Sequence, residues 1–390
     1  MYDFDEIIDR KGSRCLKYDR IPGTHFPDTI PLWVADMDFK TPDFIVDALK
    51  KRLEHPVFGY MLDPEGFYDT ISGWVAGLHG WQVDPAHIRF VPGIIKGIRM
   101  VLSVFCQPGD KVVIQPPVYH PFRSVPEMSG MQVVTNPLIP VEQDGILSGY
   151  RMDFEQLESI LDEHTKVLIL SNPHNPAGIC WPRETLQRLA EITARRGVLV
   201  VSDEIHAEMA LAGHRHIPYA SSCDAAAQNA ITFMAPSKTF KLAGIASAYT
   251  IIQDPHLREQ FFHYLASCEF DDVITFPGTA TMAAYRQGDP WRREMLAYIE
   301  GNVDFVDAFL REHCPGIRAL RPQASFLVWL DCRGLGLDQT ELVRLFEEKA
   351  HLALNDGTVF GEEGAGFMRL NVGCPRSTLE QALTRLQEVL

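Results

Sequence analysis

Residues 166–178 read KVLILSNPHNPAG, and residues 198–206 read VLVVSDEIH. Each stretch begins with a short, nearly continuous apolar run, Lys166–Leu170 and Val198–Ser202, which is typical of a strand buried on both faces of a parallel sheet. Similar runs occur at Lys111–Ile114, Ala230–Met234 and Ala246–Ile252. Because helical patterns separate several of these runs, we predict an α/β fold in which helices cover a large, mainly parallel sheet.

The two ends of the chain have a different pattern. The last third combines a long helix, a strand and two helix-opening caps, at residues 291–313, Phe326–Leu330, Asp338–Glu341 and Ser377–Glu380. Prolines punctuate extended segments near the N-terminus. We predict a large domain over residues 56–287 and a small α+β domain over residues 288–390, which the N-terminal segment, residues 1–55, joins.

The composition is that of an ordinary globular protein. Of the 390 residues, 46% are apolar and 22% are charged, and 36 Lys and Arg stand against 51 Asp and Glu, a net charge of −15. This excess of acid argues against nucleic acid or an anionic membrane as the main partner, because both require a basic surface. No apolar run approaches the ~20 residues that are needed to cross a bilayer.

The cysteines and the first ten residues indicate the cellular compartment in which the protein works. The eight cysteines are scattered, without a CxxC motif or a close group with histidine, so we predict neither a disulfide framework nor a metal site. The first ten residues, MYDFDEIIDR, are acidic and lack an apolar signal core. Both features favour a cytoplasmic protein.

Three polar residues, Asn175, Asp203 and Lys238, each lie just beyond one of the apolar runs. In open α/β sheets ligands bind beyond the carboxyl ends of the strands, so we expect these side chains to meet. Taken singly, each has a simpler explanation as a turn residue, a helix cap or a solvated lysine. Together they suit pyridoxal phosphate, which needs a lysine for its aldehyde, a carboxylate for its ring nitrogen and an amide for its phenolic oxygen.

These residues lie within a series of motifs that resembles the fold type I pyridoxal-phosphate enzymes of the class I/II aminotransferase superfamily. Within it, the chain is most similar to the MalY/PatB group of cystathionine β-lyases, also called cysteine-S-conjugate β-lyases. The motifs, in chain order, are Pro31–Phe39 (PLWVADMDF), Phe58–Tyr60, Gln115–Phe122 (QPPVYHPF), Asn172–Gly178, Ser202–His206, Ser237–Phe240 (SKTF), Ala353–Gly357 (ALNDG) and Phe360–Arg376 (FGEEGAGFMRLNVGCPR). The first and the last favour this group over ordinary aminotransferases.

The resemblance implies a role for each residue around the cofactor ring. Lys238 corresponds to the lysine that forms a Schiff base with the cofactor and later moves the α-proton. Asp203 is expected to pair with the ring nitrogen, Asn175 to donate to the phenolic oxygen, and Tyr119 to stack on the ring. We expect Lys238, Asp203 and Tyr119 to be catalytic. His206 is expected either to support the cofactor or only to pack against its neighbours.

The resemblance also implies how the phosphate is bound. Gly93, Ile94 and Ile95 precede an apolar helix and are expected to offer backbone N–H groups to it, together with the Ser237 hydroxyl. Tyr60 is similar to a tyrosine that crosses from the partner subunit of a homodimer to the phosphate and the substrate. The cofactor implied is therefore pyridoxal 5′-phosphate, held at a site that two copies of the chain complete.

Two residues near the C-terminus are expected to bind a small amino-acid substrate. Arg369 resembles the arginine that binds the α-carboxylate, for which a guanidinium fork is well matched. Asn371 follows in the same motif.

The chain departs from the pattern of related enzymes at three positions. Ala246 stands where aminotransferases commonly carry a phosphate-binding arginine, which favours the lyase group. Lys241 replaces an asparagine and Lys96 replaces a proline that many relatives carry. We expect at least one of these lysines to face the active site and to bind the phosphate or a second anionic group of the substrate. The alternative is that both point to solvent.

The function predicted from these motifs is a β-elimination that releases a thiol, pyruvate and ammonia from a cysteine S-conjugate such as L-cystathionine. Two alternatives stay open at this point. An aminotransferase would use the same residues, and a regulatory binding protein would keep the cofactor but act by contacting a partner.

Overall fold

The computed structural model describes residues 2–270 and 272–390. The strands within these ranges are β1 (Ile30–Pro31), β2 (Ile88–Val91), β3 (Lys111–Ile114), β4 (Gln132–Thr135), β5 (Ile139–Gln143), β6 (Ile146–Arg151), β7 (Thr165–Ser171), β8 (Leu199–Asp203), β9 (Ala230–Met234), β10 (Ala248–Ile251), β11 (Arg318–Leu320), β12 (Leu327–Asp331), β13 (Leu352–Ala353), β14 (Asn355–Asp356) and β15 (Phe367–Asn371).

The α-helices are α1 (Leu16–Asp19), α2 (Asp43–Leu53), α3 (Phe67–His79), α4 (Ile94–Phe105), α5 (Pro121–Met128), α6 (Phe154–Ile160), α7 (Arg183–Arg196), α8 (Asp224–Gln228), α9 (Pro255–Ser267), α10 (Thr275–Gln287), α11 (Asp289–His313), α12 (Gln339–Arg344) and α13 (Arg376–Val389). None of the helices within the described ranges is both long and apolar enough to cross a membrane.

Seven strands form one large sheet in the order β2-β10-β9-β8-β7-β3-β4. Neighbours from β9 to β4 run parallel, whereas β10 is antiparallel to both of its neighbours. Two of the five predicted strands have the predicted bounds, and the other three differ by one or two residues at their ends. The prediction of an α/β fold with a mainly parallel sheet is confirmed.

Alternate residues of the central strands pack into two different cores. On β7, Leu168 and Leu170 belong to the core on one face of the sheet, and Val167 and Ile169 belong to the core on the other. All four are buried. Because successive side chains of a strand point to opposite faces, this double burial explains why the run in the sequence is apolar without interruption.

The C-terminal part of the chain builds a second, smaller sheet. Its four strands are antiparallel in the order β11-β12-β15-β14, and α11, the long helix predicted over residues 291–313, packs against β11 and α13. From the other end of the chain, β1 pairs in parallel with β13. The N-terminal segment thus adjoins the C-terminal part, while the domain boundaries stay predictions.

One of the two helix-opening caps predicted near the C-terminus is present. At α12, Asp338 Oδ1 accepts from the backbone N–H of Glu341 at 2.8 Å, and Glu341 Oε2 accepts from the backbone N–H of Asp338 at 3.1 Å, which completes a capping box. The cap predicted at Ser377 is wrong. Since α13 already begins at Arg376, after Pro375, the Ser377 hydroxyl lies inside the helix and not at its capping position.

Candidate active site

The carboxyl ends of neighbouring strands bring the predicted cofactor residues together. Ser171 at the end of β7 is in register with Asp203 at the end of β8, and Asp203 is in register with Phe233 of β9. Asn175 follows β7 and Lys238 follows β9. The side chains of Asn175, Asp203 and Lys238 line one cavity of about 400 Å³, as the strand order of a parallel sheet predicts.

Parts of the chain far away in sequence complete the walls of this cavity. Arg369 of β15 and Asn355 of β14 come from the small sheet, and Trp33–Ala35 come from the N-terminal segment. Tyr119, between β3 and α5, forms another part of the wall. The site therefore lies where the large sheet, the small sheet and the N-terminal segment meet.

The amine of Lys238 is held by the N-terminal segment. Its Nζ donates to the carbonyl oxygen of Ala35 at 2.7 Å. Burial lowers the pKa of Lys238 to about 8, with Arg369 adding to the decrease and the carboxylates of Asp36 and Asp203 opposing it. Only a neutral amine can act as a nucleophile or a base, and this pKa gives Lys238 a much larger neutral fraction near neutral pH than an ordinary lysine has.

Asp203 is a buried carboxyl group, and few groups in the chain stabilise its negative charge. Its Oδ1 accepts from the backbone N–H of Ile205 at 3.1 Å. Burial raises the pKa of Asp203 to about 7, which the Ile205 N–H and the Lys238 ammonium oppose. A cationic partner in the cavity, such as a protonated ring nitrogen, would stabilise its charged form.

Arg369 fixes the orientation of the Asn175 side chain. Its Nη1 donates to Asn175 Oδ1 at 3.0 Å. Because the amide oxygen is used in this contact, the Nδ2 group of Asn175 is left to donate to a ligand.

The guanidinium group of Arg369 is buried without a counter-charge. Its Nη2 donates to the carbonyl oxygen of Trp33 at 3.0 Å and to Asn355 Oδ1. The Cζ atom of the guanidinium lies 4.8 Å from the centre of the Phe360 ring. The Nε atom has no hydrogen-bond partner, and no carboxylate in the described part of the chain pairs with this side chain. Burial lowers the pKa of Arg369 to about 10. An anion that enters the cavity would therefore bind favourably.

Tyr119 and His206 also line the cavity. Burial, with the nearby Asp203 carboxylate, raises the pKa of Tyr119, so its hydroxyl stays protonated at neutral pH. Burial lowers the pKa of His206 to about 3, and its Nδ1 lies 3.0 Å from Ser325 Oγ. The imidazole of His206 is therefore neutral, and both expectations for its role stay predictions.

The N-terminus of α4 forms a further part of the cavity. Gly93 precedes the helix with φ +130°, a conformation that favours glycine, and Ile94 and Ile95 line the cavity. No side chain caps the first backbone N–H groups of α4. These groups and the helix dipole favour an anion at this end of the cavity.

Two predicted residues lie outside the cavity of their own chain. Tyr60 is fully exposed, and Ser237 is partly buried but does not line the cavity. The role predicted for each stays a prediction.

Asn371, which is predicted to bind the substrate, uses its amide to contact the backbone of its own chain, and its role towards the substrate stays a prediction. Its Nδ2 donates to the carbonyl oxygens of Val34 and Asp36 at 2.8 and 2.9 Å, and its Oδ1 accepts from the backbone N–H of Gly373 at 2.8 Å. Since all three bonds go to the backbone, Asn371 holds the N-terminal segment in place.

Neither of the unusual lysines lines the cavity. Lys96 is exposed on α4, and Lys241 is partly buried and pairs with Asp36. The prediction that one of them binds the phosphate or a second substrate anion stays a prediction, and the contacts within the chain give it no support. Lys96 lies on the solvent side of its helix, and Lys241 finds its anion within the chain.

Two contacts of the site were not foreseen from the sequence. The carbonyl oxygen of Ala35 accepts from Lys238, and Asn355 Oδ1 accepts from Arg369. A backbone carbonyl leaves no trace in the residue type, so the first contact had no signal. Asn355 did offer one, because its polar amide stands within Ala353–Gly357, one of the motifs that carry the resemblance.

These features fit pyridoxal 5′-phosphate. The site offers a buried carboxyl group for the ring nitrogen, an amide donor for the phenolic oxygen and the N-terminus of a helix for the phosphate. It also holds a lysine amine for the aldehyde. The fold and the site together define the class: a fold type I pyridoxal-phosphate protein.

Comparisons with known proteins identify the family. The family model for aminotransferase class I and II matches residues 27–386. The chain is 42% identical to cystathionine beta-lyase PatB of Bacillus subtilis (strain 168), with 100% of both chains covered. It is 32% identical to Protein MalY of Escherichia coli (strain K12), with 99% of this chain and 98% of that one covered. The chain belongs to the class I and II aminotransferase family, and within it to the MalY/PatB group.

Solved structures agree with this assignment. Cystalysin from Treponema denticola, which contains a pyridoxal 5′-phosphate cofactor, is 31% identical with a TM-score of 0.93 and covers 100% of this chain and 98% of its own. The pyridoxal-phosphate-bound C-S lyase from Staphylococcus hominis is 29% identical with a TM-score of 0.91 over the same shares of the two chains.

Proposed function

We propose that this protein is a pyridoxal-phosphate-dependent lyase that cleaves the Cβ–S bond of cysteine S-conjugates such as L-cystathionine. The observation that carries the proposal is the buried, unpaired guanidinium of Arg369 in the same cavity as the Lys238 amine. The arrangement provides a cation for the α-carboxylate of an amino acid and a base for its α-proton. The names of the PatB relative and of the Staphylococcus hominis structure favour the lyase over its alternatives.

Arg369 binds and orients the substrate. Its contacts with Asn175, Trp33 and Asn355 fix the plane of the guanidinium, so that an incoming carboxylate meets a rigid donor. Bonds to charged partners of this kind contribute about 1.5–3 kcal/mol each. An amino acid held at this point has its Cα–H bond near Lys238, because both residues line one cavity.

Lys238 moves the proton. With its pKa near 8, the amine is neutral in a substantial fraction of molecules near neutral pH and accepts the proton from Cα. When bound, pyridoxal phosphate withdraws electrons from Cα and so stabilises the negative charge that develops there. The electron pair of the broken Cα–H bond forms a double bond to Cβ, and the sulfur leaves as a thiolate. The remaining three-carbon fragment takes up water and yields pyruvate and ammonia.

The other residues of the cavity hold the cofactor. Asp203 would pair with the ring nitrogen and keep it protonated, and the Nδ2 group of Asn175 would donate to the phenolic oxygen. Tyr119 would stack on the ring, and His206 would support it from the cavity wall. The backbone N–H groups at the start of α4, at Gly93, Ile94 and Ile95, would bind the phosphate, and the Ser237 hydroxyl would add a further donor.

Incubation of the cofactor-loaded protein with L-cystathionine tests the function. A lyase releases a thiol and pyruvate in equal amounts without a second substrate. An aminotransferase produces a keto acid only when an acceptor keto acid is present, and a regulatory binding protein produces neither. A Lys238→Ala variant serves as the control for cofactor chemistry that takes place without the protein.

We also propose that the protein is a homodimer in which Tyr60 contributes to the site of the partner subunit. The exposed segment that includes Val57, Phe58, Tyr60, Met61 and Leu62 presents large apolar side chains, and the exposed Phe270 and Ile274 add to this set. So many exposed apolar residues in one segment are typical of an interaction surface. A second copy that covers it would bring Tyr60 beside another protein chain.

A cytoplasmic location is part of the same proposal. All eight cysteines are free, which suits a reducing compartment.

A further inference from the structure

The N-terminal segment approaches the active site through a row of alternating charges. Lys17 Nζ lies 2.7 Å from Asp38 Oδ2, and Arg10 bridges Asp38 Oδ1, at 2.7 Å, and Asp36. The other oxygen of Asp36 contacts the Nζ of Lys241. We name this row, Lys17–Asp38–Arg10–Asp36–Lys241, the N-terminal ion-pair chain.

The N-terminal ion-pair chain is largely removed from solvent. The side chain of Lys17 is 0% exposed, that of Asp38 is 6% exposed, and those of the other three members are between 12% and 20% exposed. Removing one member of a buried pair leaves the other charge without compensation, which is far more costly than at the surface. The five side chains therefore behave as one unit that fixes residues 34–38.

The residue next to Asp36 contacts Lys238 directly. The carbonyl oxygen of Ala35 accepts from Lys238 Nζ at 2.7 Å, and Asn371 holds the flanking carbonyl groups of Val34 and Asp36. Lys17 donates a second bond, at 3.0 Å, to the carbonyl oxygen of Asp36. Any movement of Asp36 thus displaces the group that holds the Lys238 amine.

We propose that Asp36 is a positioning residue for Lys238, which it serves by fixing the Ala35 carbonyl group and by placing a negative charge beside the amine, and that Lys241 moderates this charge by pairing with Asp36. The proposal rests on the proposed function of Lys238 as the amine that bears the cofactor. It gives Lys241 a role that differs from binding the phosphate or the substrate.

The backbone at Lys241 supports a role for its side chain. Its φ is +61°, in the left-handed region that a lysine adopts less readily than an asparagine. Asparagine would tolerate this backbone conformation better than lysine but lacks the charge that pairs with Asp36. The ion pair therefore offsets an unfavourable conformation, and Lys241→Asn is a substitution that the fold should accept.

The charges around Lys238 set the expected direction of each effect. Burial lowers the pKa of Lys238, Asp36 opposes that decrease, and Lys241 adds to it. Burial acts to raise the pKa of Asp36, but the charges of Lys241 and Arg10 outweigh it and hold the pKa below its usual value. Tyr18 lies beside Asp38 at the far end of the row. The other titratable groups that line the cavity with Lys238 are Tyr119, His120, Asp203, His206 and Arg369.

The test is a pH titration of the visible absorbance of the cofactor bound at Lys238, which requires no turnover. Asp36→Asn removes a negative charge, so the midpoint should move to lower pH by about one unit. Lys241→Asn removes a positive charge and leaves Asp36 less neutralised, so the midpoint should move to higher pH. In the double variant the midpoint should lie between those of the two single variants.

The exposed pair of Asp47 and Lys50 on α2 provides the matched control. Asp47→Asn and Lys50→Asn should leave the midpoint unchanged. The proposal is overturned if both Lys241→Asn and Asp36→Asn keep the wild-type midpoint, or if both shift it in the same direction. If Asp36→Asn does not fold, the midpoint of Lys241→Asn alone decides: a shift to higher pH supports the proposal, and any other result overturns it. Opposite shifts in a protein that does not cleave cystathionine would support the positioning role and refute the proposed function.

Discussion

Arg369 and Lys238 share one cavity, and burial affects them in different ways. It lowers the pKa of Arg369 only to about 10, so the guanidinium stays charged and attracts an anion. It lowers the pKa of Lys238 to about 8, so the amine changes its charge within the range in which the protein works. At the scale of the residue, one environment therefore produces both a fixed cation and a titratable base.

We predict that Arg369→Ala keeps bound cofactor but loses activity. Removal of a hydrogen bond to a charged group costs about 1.5–3 kcal/mol, and each 1.4 kcal/mol is tenfold, so kcat/KM for L-cystathionine should fall by roughly ten- to a hundredfold. Visible absorbance measures the bound cofactor. Arg188→Ala, at an exposed arginine on α7, is the control and should have no effect. An unchanged kcat/KM in Arg369→Ala would show that another group binds the carboxylate.

The reactivity of Lys238 should depend on pH. Only the neutral amine attaches the cofactor, so the rate at which cofactor-free protein takes up pyridoxal phosphate should rise with pH, with a midpoint near 8. For an ordinary lysine, whose reference pKa is about 10.4, the midpoint would lie near that pH. Borohydride added at timed intervals traps the adduct, and mass spectrometry of the peptide quantifies it.

Two results would contradict this prediction for Lys238. One is a midpoint near that of a free lysine, and the other is an adduct on Lys241 in place of Lys238. Asp203 has a pKa of about 7 and titrates in the same range, so the measurement is repeated with Asp203→Asn. If the midpoint in Asp203→Asn equals that of the wild type, it reports the titration of Lys238.

At the scale of the element, strand ends and one helix end build the site. The parallel pairing of β7, β8 and β9 brings the ends of these strands together, and Asn175, Asp203 and Lys238 lie at or just after those ends. The start of α4, whose first backbone N–H groups have no side-chain cap, lines the same cavity. The geometry of this helix start depends on Gly93, whose φ of +130° is unsuited to residues with a side chain.

We predict that Gly93→Ala weakens cofactor binding by about tenfold or more. The added Cβ meets no close neighbour, so the effect arises from the backbone, which must leave φ +130° and thereby turn the first N–H groups of α4 away. Titration with pyridoxal phosphate, followed by absorbance, measures the affinity. Gly73→Ala on α3 is the control, since its Cβ also enters open space within an ordinary helix. Equal affinities in the two variants would contradict the prediction.

At the scale of the whole molecule, the exposed apolar residues stand out. Tyr60 and Leu62 are almost fully exposed, on a chain whose other large apolar side chains are mostly buried. A surface of this kind on an acidic protein favours association with another apolar surface. The second copy of the chain is the partner that the proposed homodimer supplies.

Mixing two inactive variants should restore activity if Tyr60 acts in the partner's site. A dimer of one Tyr60→Ala subunit and one Lys238→Ala subunit contains one intact site out of two. Because random exchange makes about half of the dimers mixed, about a quarter of the wild-type activity should return. The control mixes Arg369→Ala with Lys238→Ala. Since Arg369 and Lys238 line the cavity of a single chain, no intact site can form there. Activity in the control, or none in the first mixture after subunit exchange, would contradict the prediction.

The amino-acid sequence by itself determined the large sheet and the residues at its strand ends. Doubly buried strands read as unbroken apolar runs, and polar residues directly after such runs must lie at one edge of a parallel sheet. Asn175, Asp203 and Lys238 could therefore be placed by local pattern alone. The motif around Arg369 was recognisable for its resemblance to related enzymes, and the structure brings that residue into the same cavity.

Only the tertiary structure decided which groups surround those residues. Lys241 follows Lys238 by three positions, yet its side chain turns to Asp36, more than two hundred residues away in the chain. Asn371 stands in a motif with Arg369, yet its amide bonds to the backbone of the N-terminal segment. Pairing across such distances depends on how the two ends of the chain pack together. Local sequence carries no record of that packing, because a buried charge or amide is stabilised by whichever partner the fold brings to it.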